Sequence, residues 1–163
     1  MAGTLLKAGV AVFFTQYSIT PIRLALALEE RGYESLWAPE HSHIPVSRNS
    51  DFPKGGVLPE KYQDVMDPFV TLSVAAAVTT SLKIATGICL VVQRDPIQTA
   101  KLVASLDQIS AGRFLFGVED DLTTLQRYRD AGVQRVVFSL LSSSEKDILL
   151  LLDKYASLMT GLN

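Results

Sequence analysis

The sequence predicts an α/β fold built on a parallel sheet covered by helices. Short β-rich runs alternate with helix-length segments in the order βαβαβαβαβα. The runs are almost continuously apolar, as in strands buried on both faces, rather than alternating apolar with polar. Helix starts repeat one signature, a Thr or Asp followed by Pro, at Thr20-Pro21, Asp67-Pro68 and Asp95-Pro96. The first residue supplies the capping oxygen, and the proline suits the first helical position.

Residues 7–14 (KAGVAVFF) read as the first strand. The helix capped by Thr20 runs over 22–31 with Leu24, Leu26 and Leu28 and stops at Gly32. Residues 34–38 read as the second strand. Residues 39–66 are irregular, hold four of the seven prolines and contain Gly55-Gly56. A loop of this length in a compact domain usually has a task, such as covering a site. The helix from Asp67-Pro68 reaches about Thr80, and 82–92 (LKIATGICLVV) is the strongest strand signal. From Asp95-Pro96 a helix extends to Ser110 before Gly112, and 113–118 (RFLFGV) is the fourth strand. Residues 122–131 read as a helix, 133–140 as the fifth strand. Ser144 with Asp147 resembles a capping box, with Asp in place of Glu or Gln, for a last helix through Leu158.

The 163 residues, 48% hydrophobic, form one sizeable core and a single domain over 1–163. A net charge of −2 without charge blocks offers no face for nucleic acid or an anionic membrane. Apolar stretches are interrupted well short of the roughly 20 residues of a membrane span. The single cysteine, Cys89, excludes an internal disulfide framework and fits a reducing compartment, so a cytoplasmic protein is expected. No His and carboxylate spacing matches a metal site.

The runs LWAPEHSHIP (36–45), MDPFVTLSVAAAVTTSLKIATGICLVVQRDPIQTAKLVASLDQISAGRFLFGV (66–118) and YRDAGVQRVVFSL (128–140) resemble the luciferase-like monooxygenase superfamily, most closely its actinobacterial-type branch using the deazaflavin coenzyme F420. The resemblance implies a TIM-type (β/α)8 barrel. In that family the part similar to Val118 continues into strands five to seven, whereas here the chain passes at 118–121 into a segment resembling helix seven, strand eight and helix eight. The expected fold is therefore an incomplete (β/α) barrel of about five parallel strands in the order 5-1-2-3-4. Closing a filled barrel takes about eight strands. The strand-four to strand-five link must cross some 19 Å at roughly 4.8 Å per strand. A helix of about 12 residues spans roughly 18 Å, so the link is taut.

Sites in such sheets lie at the carboxyl ends of the strands. By resemblance Glu40 and His41 are the catalytic pair: His41 gives a proton or orients substrate during hydride transfer, and Glu40 sets its charge, as suits an imidazole titrating near neutrality. Phe14, Thr86, Gly87, Ile88 and Cys89 are the expected contacts of a flat FMN or F420 ring. In the family, the place of Gly87-Ile88 commonly holds a non-prolyl cis peptide; an ordinary strand glycine is the other reading. Apart from the resemblance, Glu40 reads as a loop cap, His41 as a residue of a polar pocket, His43 as a loop residue and Cys89 as a small core residue. Arg94 and Arg48 either reach a phosphate or are solvated.

A half barrel exposes two sheet edges and an apolar concave face. The expected partner is a second copy, in a dimer that exchanges the C-terminal unit, besides a small-molecule substrate. Two functions follow: an oxidoreductase transferring hydride or oxygenating a small organic substrate, or a shortened, non-catalytic relative serving as an oligomeric binding module.

Overall fold

In every part of the sheet the face of each residue is set by its register. Val10 lies opposite Leu36, Leu36 opposite Ile84, and Ile84 opposite Phe114. The next row is Ala11, Trp37, Ala85 and Leu115. Successive residues of a strand point to opposite faces, so the two rows serve different layers.

The computed structural model describes residues 7–47, 52, 55–87, 89, 90, 93–116, 135–140 and 144–162. Its elements are β1 (Lys7–Val12), α1 (Pro21–Glu30), β2 (Ser35–Ala38), α2 (Lys61–Asp64), α3 (Pro68–Val78), β3 (Lys83–Thr86), α4 (Pro96–Ile109), β4 (Phe114–Phe116), β5 (Arg135–Leu140) and α5 (Glu145–Leu162). The strands are all parallel and lie in the order β4-β3-β2-β1-β5, the expected arrangement. The sheet is open: among the described residues β4 pairs only with β3, and β5 only with β1.

The first row belongs to the main core. Val10, Leu36 and Ile84 are fully buried with Leu24 and Leu28 of α1, Leu72 of α3, Leu106 of α4 and Ile148 and Leu152 of α5. The second row forms a smaller cluster of Trp37 and Ala85, with Ala11 and Leu115 against them. The expected exposed trough is not found at these positions. Trp37 is 3% exposed, and Ser35 and Ala85 are fully buried within the single chain. The indole can lie across β1 because Gly9 has no side chain. A Cβ there would stand 2.3 Å from Ser35 Oγ and 2.8 Å from Trp37 Nε1.

The capping signatures are realised. Thr20 Oγ1 accepts from Arg23 N at 3.3 Å, Asp67 Oδ1 from Val70 N at 3.1 Å and Asp95 Oδ1 from Gln98 N at 2.8 Å. At α5, Ser144 Oγ accepts from Asp147 N at 3.3 Å and donates to Asp147 Oδ2 at 2.7 Å, closing the box through the hydroxyl. Two charged groups tie helices to the amino-terminal end of the sheet. The Glu29 carboxylate on α1 accepts from the N–H groups of Thr80, Ser81 and Leu82 and from Ser81 Oγ. Arg113 donates to the carbonyls of Ala76, Thr79, Leu82 and Ser110 and to Thr79 Oγ1, so one guanidinium serves carbonyls at the end of α3, where a cation is favoured.

Some boundaries differ from expectation. β1 ends at Val12, not Phe14, and β3 covers only Lys83–Thr86 instead of 82–92. After Thr86 the backbone finds other partners: Gly87 N still reaches Ala38 O at 2.8 Å, but Leu90 N donates to a Glu40 carboxylate oxygen at 2.8 Å. A run of apolar residues does not specify which acceptor its N–H groups meet. The helix expected over 122–131, the junction at 118–121 and the link into β5 lie outside the described residues. No described helix is long and apolar enough to cross a membrane.

Candidate functional site

Beyond the strand ends, neighbouring residues still part to opposite layers. Phe13 continues the row of Ala11 and is half-buried, whereas Phe14 continues that of Val10 and Val12 and is 1% exposed in the main core. Phe14, an expected ring contact, thus lies in the main core, and Phe13 is the aromatic residue on the other face. A one-residue step along a strand is enough to change the face.

Glu40 and His41 part in the same way. Glu40, 4% exposed, turns to the helix side, where Oε2 accepts from Leu90 N and Oε1 from Arg94 Nε. Arg94 Nη2 pairs with the same carboxylate and, at 2.9 Å, with Asp67 Oδ2, the N-cap of α3. Its guanidinium lies 4.8 Å from the ring centroid of Phe69. Arg94 is thus neither solvated nor held out for a phosphate, and Arg48 lies outside the described residues. A polar cavity of about 330 Å³ opens beside this group, lined by Glu40, Asp67, Arg94, Asp95 and Gln98 among others.

His41 faces Tyr62, edge to face, with ring centroids 4.9 Å apart. Tyr62 also meets Phe13 at 4.8 Å and Phe52 at 5.7 Å. Lys61 Nζ sits 4.5 Å from the Phe13 centroid. Burial pushes the His41 imidazole below its ordinary 6.5, and the charge of Glu40 offsets part of that shift. A largely neutral imidazole at pH 7 can both accept and return a proton. His43 is exposed, its Nδ1 2.9 Å from Ser42 Oγ, which donates to Gln93 Oε1 at 2.9 Å.

Tyr62 is the residue that sequence reasoning missed. The Pro-rich length of 39–66 pointed to a covering loop, yet no periodicity marked the single turn of α2 that presents Tyr62 and Lys61. Met66 N donates to Phe14 O at 2.8 Å and fastens the end of this loop to the segment after β1.

Thr86 is 1% exposed, and its Oγ1 has no hydrogen-bond partner among the described residues. It shares the face of Ile84, while Gly87 follows Ala85 toward the inner side. A Cβ on Gly87 would lie 3.4 Å from Pro39 N. Ile88, and with it the Gly87-Ile88 peptide, lies outside the described residues. Cys89 is half-buried against the main core; burial and then the Glu40 charge push its thiol up, which leaves it a poor nucleophile.

Residues 19–118 match the model of a family described as luciferase-like monooxygenase. This chain belongs to the luciferase-like monooxygenase family. It is 41% identical over 113 residues to an uncharacterized protein of Mycobacterium tuberculosis and to another of Mycobacterium bovis, a match covering 68% of this chain and 40% of each relative. The chain thus spans well under half the length of these curated relatives. Its fold is like that of monooxygenase RslO1 from Streptomyces bottropensis, with a TM-score of 0.51 and 22% identity over 78% of this chain and 37% of that one. It is also like the oxygenating constituent of 3,6-diketocamphane monooxygenase of Pseudomonas putida, solved in complex with FMN. Here the TM-score is 0.50 and the identity 19%, over 72% of this chain and 30% of that one. For a luciferase-like chain the carboxyl ends of the strands are the place to seek chemistry, and there Phe13, His41 and Tyr62 meet.

Proposed function

We propose that this chain forms the ring-binding, proton-handling part of a flavin- or F420-dependent oxidoreductase acting on a small organic substrate. The observation that carries the reading is the aromatic cluster in which Tyr62 packs on both Phe13 and His41, beyond the ends of β1 and β2. A flat tricyclic ring would take the place of Tyr62 on Phe13, which offers an aromatic surface, and Gly87 would let it approach the backbone. Four arginines already have partners other than a phosphate tail. Arg23, Arg31, Arg94 and Arg113 are each engaged by carboxylates or carbonyls of the chain.

When bound, the ring supplies hydride transfer, which side chains cannot perform. His41 would hold or pass the accompanying proton at its imidazole, and Phe13 would keep water from one side of the ring. Glu40 acts on His41 through its charge and not by contact. With its carboxylate committed to Leu90 N and Arg94, it shapes the rim.

The test is to purify the chain and titrate FMN and coenzyme F420 while following visible absorbance. Saturable binding with a spectral shift, weakened by substitution of Phe13, supports the reading; no binding of either ring refutes it. Self-association along the open edges of β4 and β5 is the partner arrangement consistent with the sheet, and cytoplasmic residence belongs to the same reading. Light scattering giving only the monomer mass at high concentration would exclude the dimer.

A further inference from the structure

The two ends of the connection from β2 to α3 meet the segment after β3 at one guanidinium. The connection from β2 to α3 is fastened to the segment after β1 by Met66 N on Phe14 O and ends at Asp67, whose Oδ2 accepts from Arg94 Nη2 at 2.9 Å. The segment after β2 contributes Glu40, paired to Arg94 Nε and Nη2. The segment after β3 carries Arg94 itself, and it is tied back where Leu90 N donates to Glu40 Oε2 and Gln93 Oε1 accepts from Ser42 Oγ.

Burial makes these bonds matter. The Glu40 side chain is 3% exposed and that of Arg94 17%, so removing the guanidinium leaves a carboxylate buried without its counter-charge. A planar fork can serve two carboxylates at once with fixed geometry, which a lysine ammonium cannot. The apolar platform under the fork is Phe69, and Phe69 belongs to the main core. The rim is therefore referenced to the rigid part of the fold.

We propose that Arg94 is a positioning residue for the ring site: by bonding Glu40 and Asp67 together, it holds both ends of the β2–α3 connection to the segment after β3, in the arrangement that turns Phe13, His41 and Gly87 toward a common guest. This rests on the ring-site reading above. Arg94 need touch neither ring nor substrate.

The test compares wild type with Arg94→Met and Arg94→Lys in the full chain by two measurements. The first is amide hydrogen exchange followed residue by residue; the second is equilibrium binding of FMN and of coenzyme F420. In Arg94→Met the Leu90 amide should exchange about 10-fold faster or more while the Val10 and Leu36 amides keep their wild-type rates. Both rings should bind about 10-fold more weakly or worse, with only partial recovery in Arg94→Lys. Leu90 exchange unchanged, or acceleration equal throughout the sheet, overturns the proposal. So does unchanged ring affinity in a variant whose Leu90 amide has been released. If Arg94→Met does not fold, Arg94→Lys alone carries both measurements, and wild-type behaviour in it overturns the proposal. A wild-type chain that binds neither ring refutes the ring-site reading itself, whereas wild-type binding that Arg94→Met leaves intact refutes only this inference.

Discussion

The Trp37 indole nitrogen donates to the hydroxyl of Ser35 across 2.9 Å, both residues lying over the bare backbone of Gly9. The largest side chain of the inner face thus fits only because the facing position on β1 has none. Gly9→Ala should destabilise the chain by about 2–3 kcal/mol, the usual cost of overpacking a filled interior. Denaturant unfolding followed by emission from Trp37, the single tryptophan, reads the loss directly. An unchanged midpoint would contradict the close approach.

At the other end of the sheet Glu29 gives a pH signature. Burial alone would raise its carboxyl, but the N–H groups of Ser81, Leu82 and Thr80 and the Ser81 hydroxyl hold it down to about 2, against an ordinary 4.5. Because the folded value is the lower one, the unfolded chain binds this proton first. The stabilisation is complete above pH 4.5 and disappears as pH falls toward about 2. Glu29→Gln should cost about 1–2 kcal/mol at pH 7 after allowance for solvent screening, and the gap from wild type should narrow through that window. Stability curves against pH for the two proteins provide the comparison, and a constant gap down to pH 2 is the contrary result.

Arg113 holds carbonyls from the end of α3, the turn into β3 and the end of α4. Replacing it with Met should cost about 3 kcal/mol, since several carbonyls lose a charged donor together. Arg113→Lys should recover well under half, because an ammonium cannot span the same acceptors. Thermal unfolding of the three proteins decides, and equal melting of the Lys variant and wild type would show that charge alone suffices.

For His41 the depressed imidazole sets the sign of two effects. Its NMR titration should show a pKa below 6.5, and cofactor-dependent turnover that uses the neutral ring should hold near pH 7 and fall as pH drops through that value. His41→Gln should lower turnover by about 100-fold or more while folding stability changes by about 1 kcal/mol or less. Turnover unaffected by the substitution would remove His41 from the chemistry.

The strand order, the capped helix starts and the placement of β5 beside β1 were legible in the sequence, because each depends on local chemistry or on the strand–helix rhythm. What escaped was pairing between distant segments. Leu90 lies in a run that reads as strand, yet its N–H meets the Glu40 side chain 50 residues away. Glu40 and His41 read as one acid–imidazole pair, whereas the alternation of faces gives them to different layers. Trp37 gave no sign that Gly9 would receive it, and the large inner residue kept buried a face expected to be bare. Residues on one strand announce their spacing, but not which neighbour fills the space.

The contact between Tyr62 and His41 has its own consequence for recognition. A planar guest settling against Phe13 and the imidazole must compete with an aromatic ring the host already keeps there. The measured dissociation constant then equals the intrinsic one divided by the fraction of molecules whose tyrosine has swung aside. Trimming that tyrosine to alanine would make the entrance vacant from the start, and tighter capture of the guest would follow from removing a rival rather than from gaining a bond.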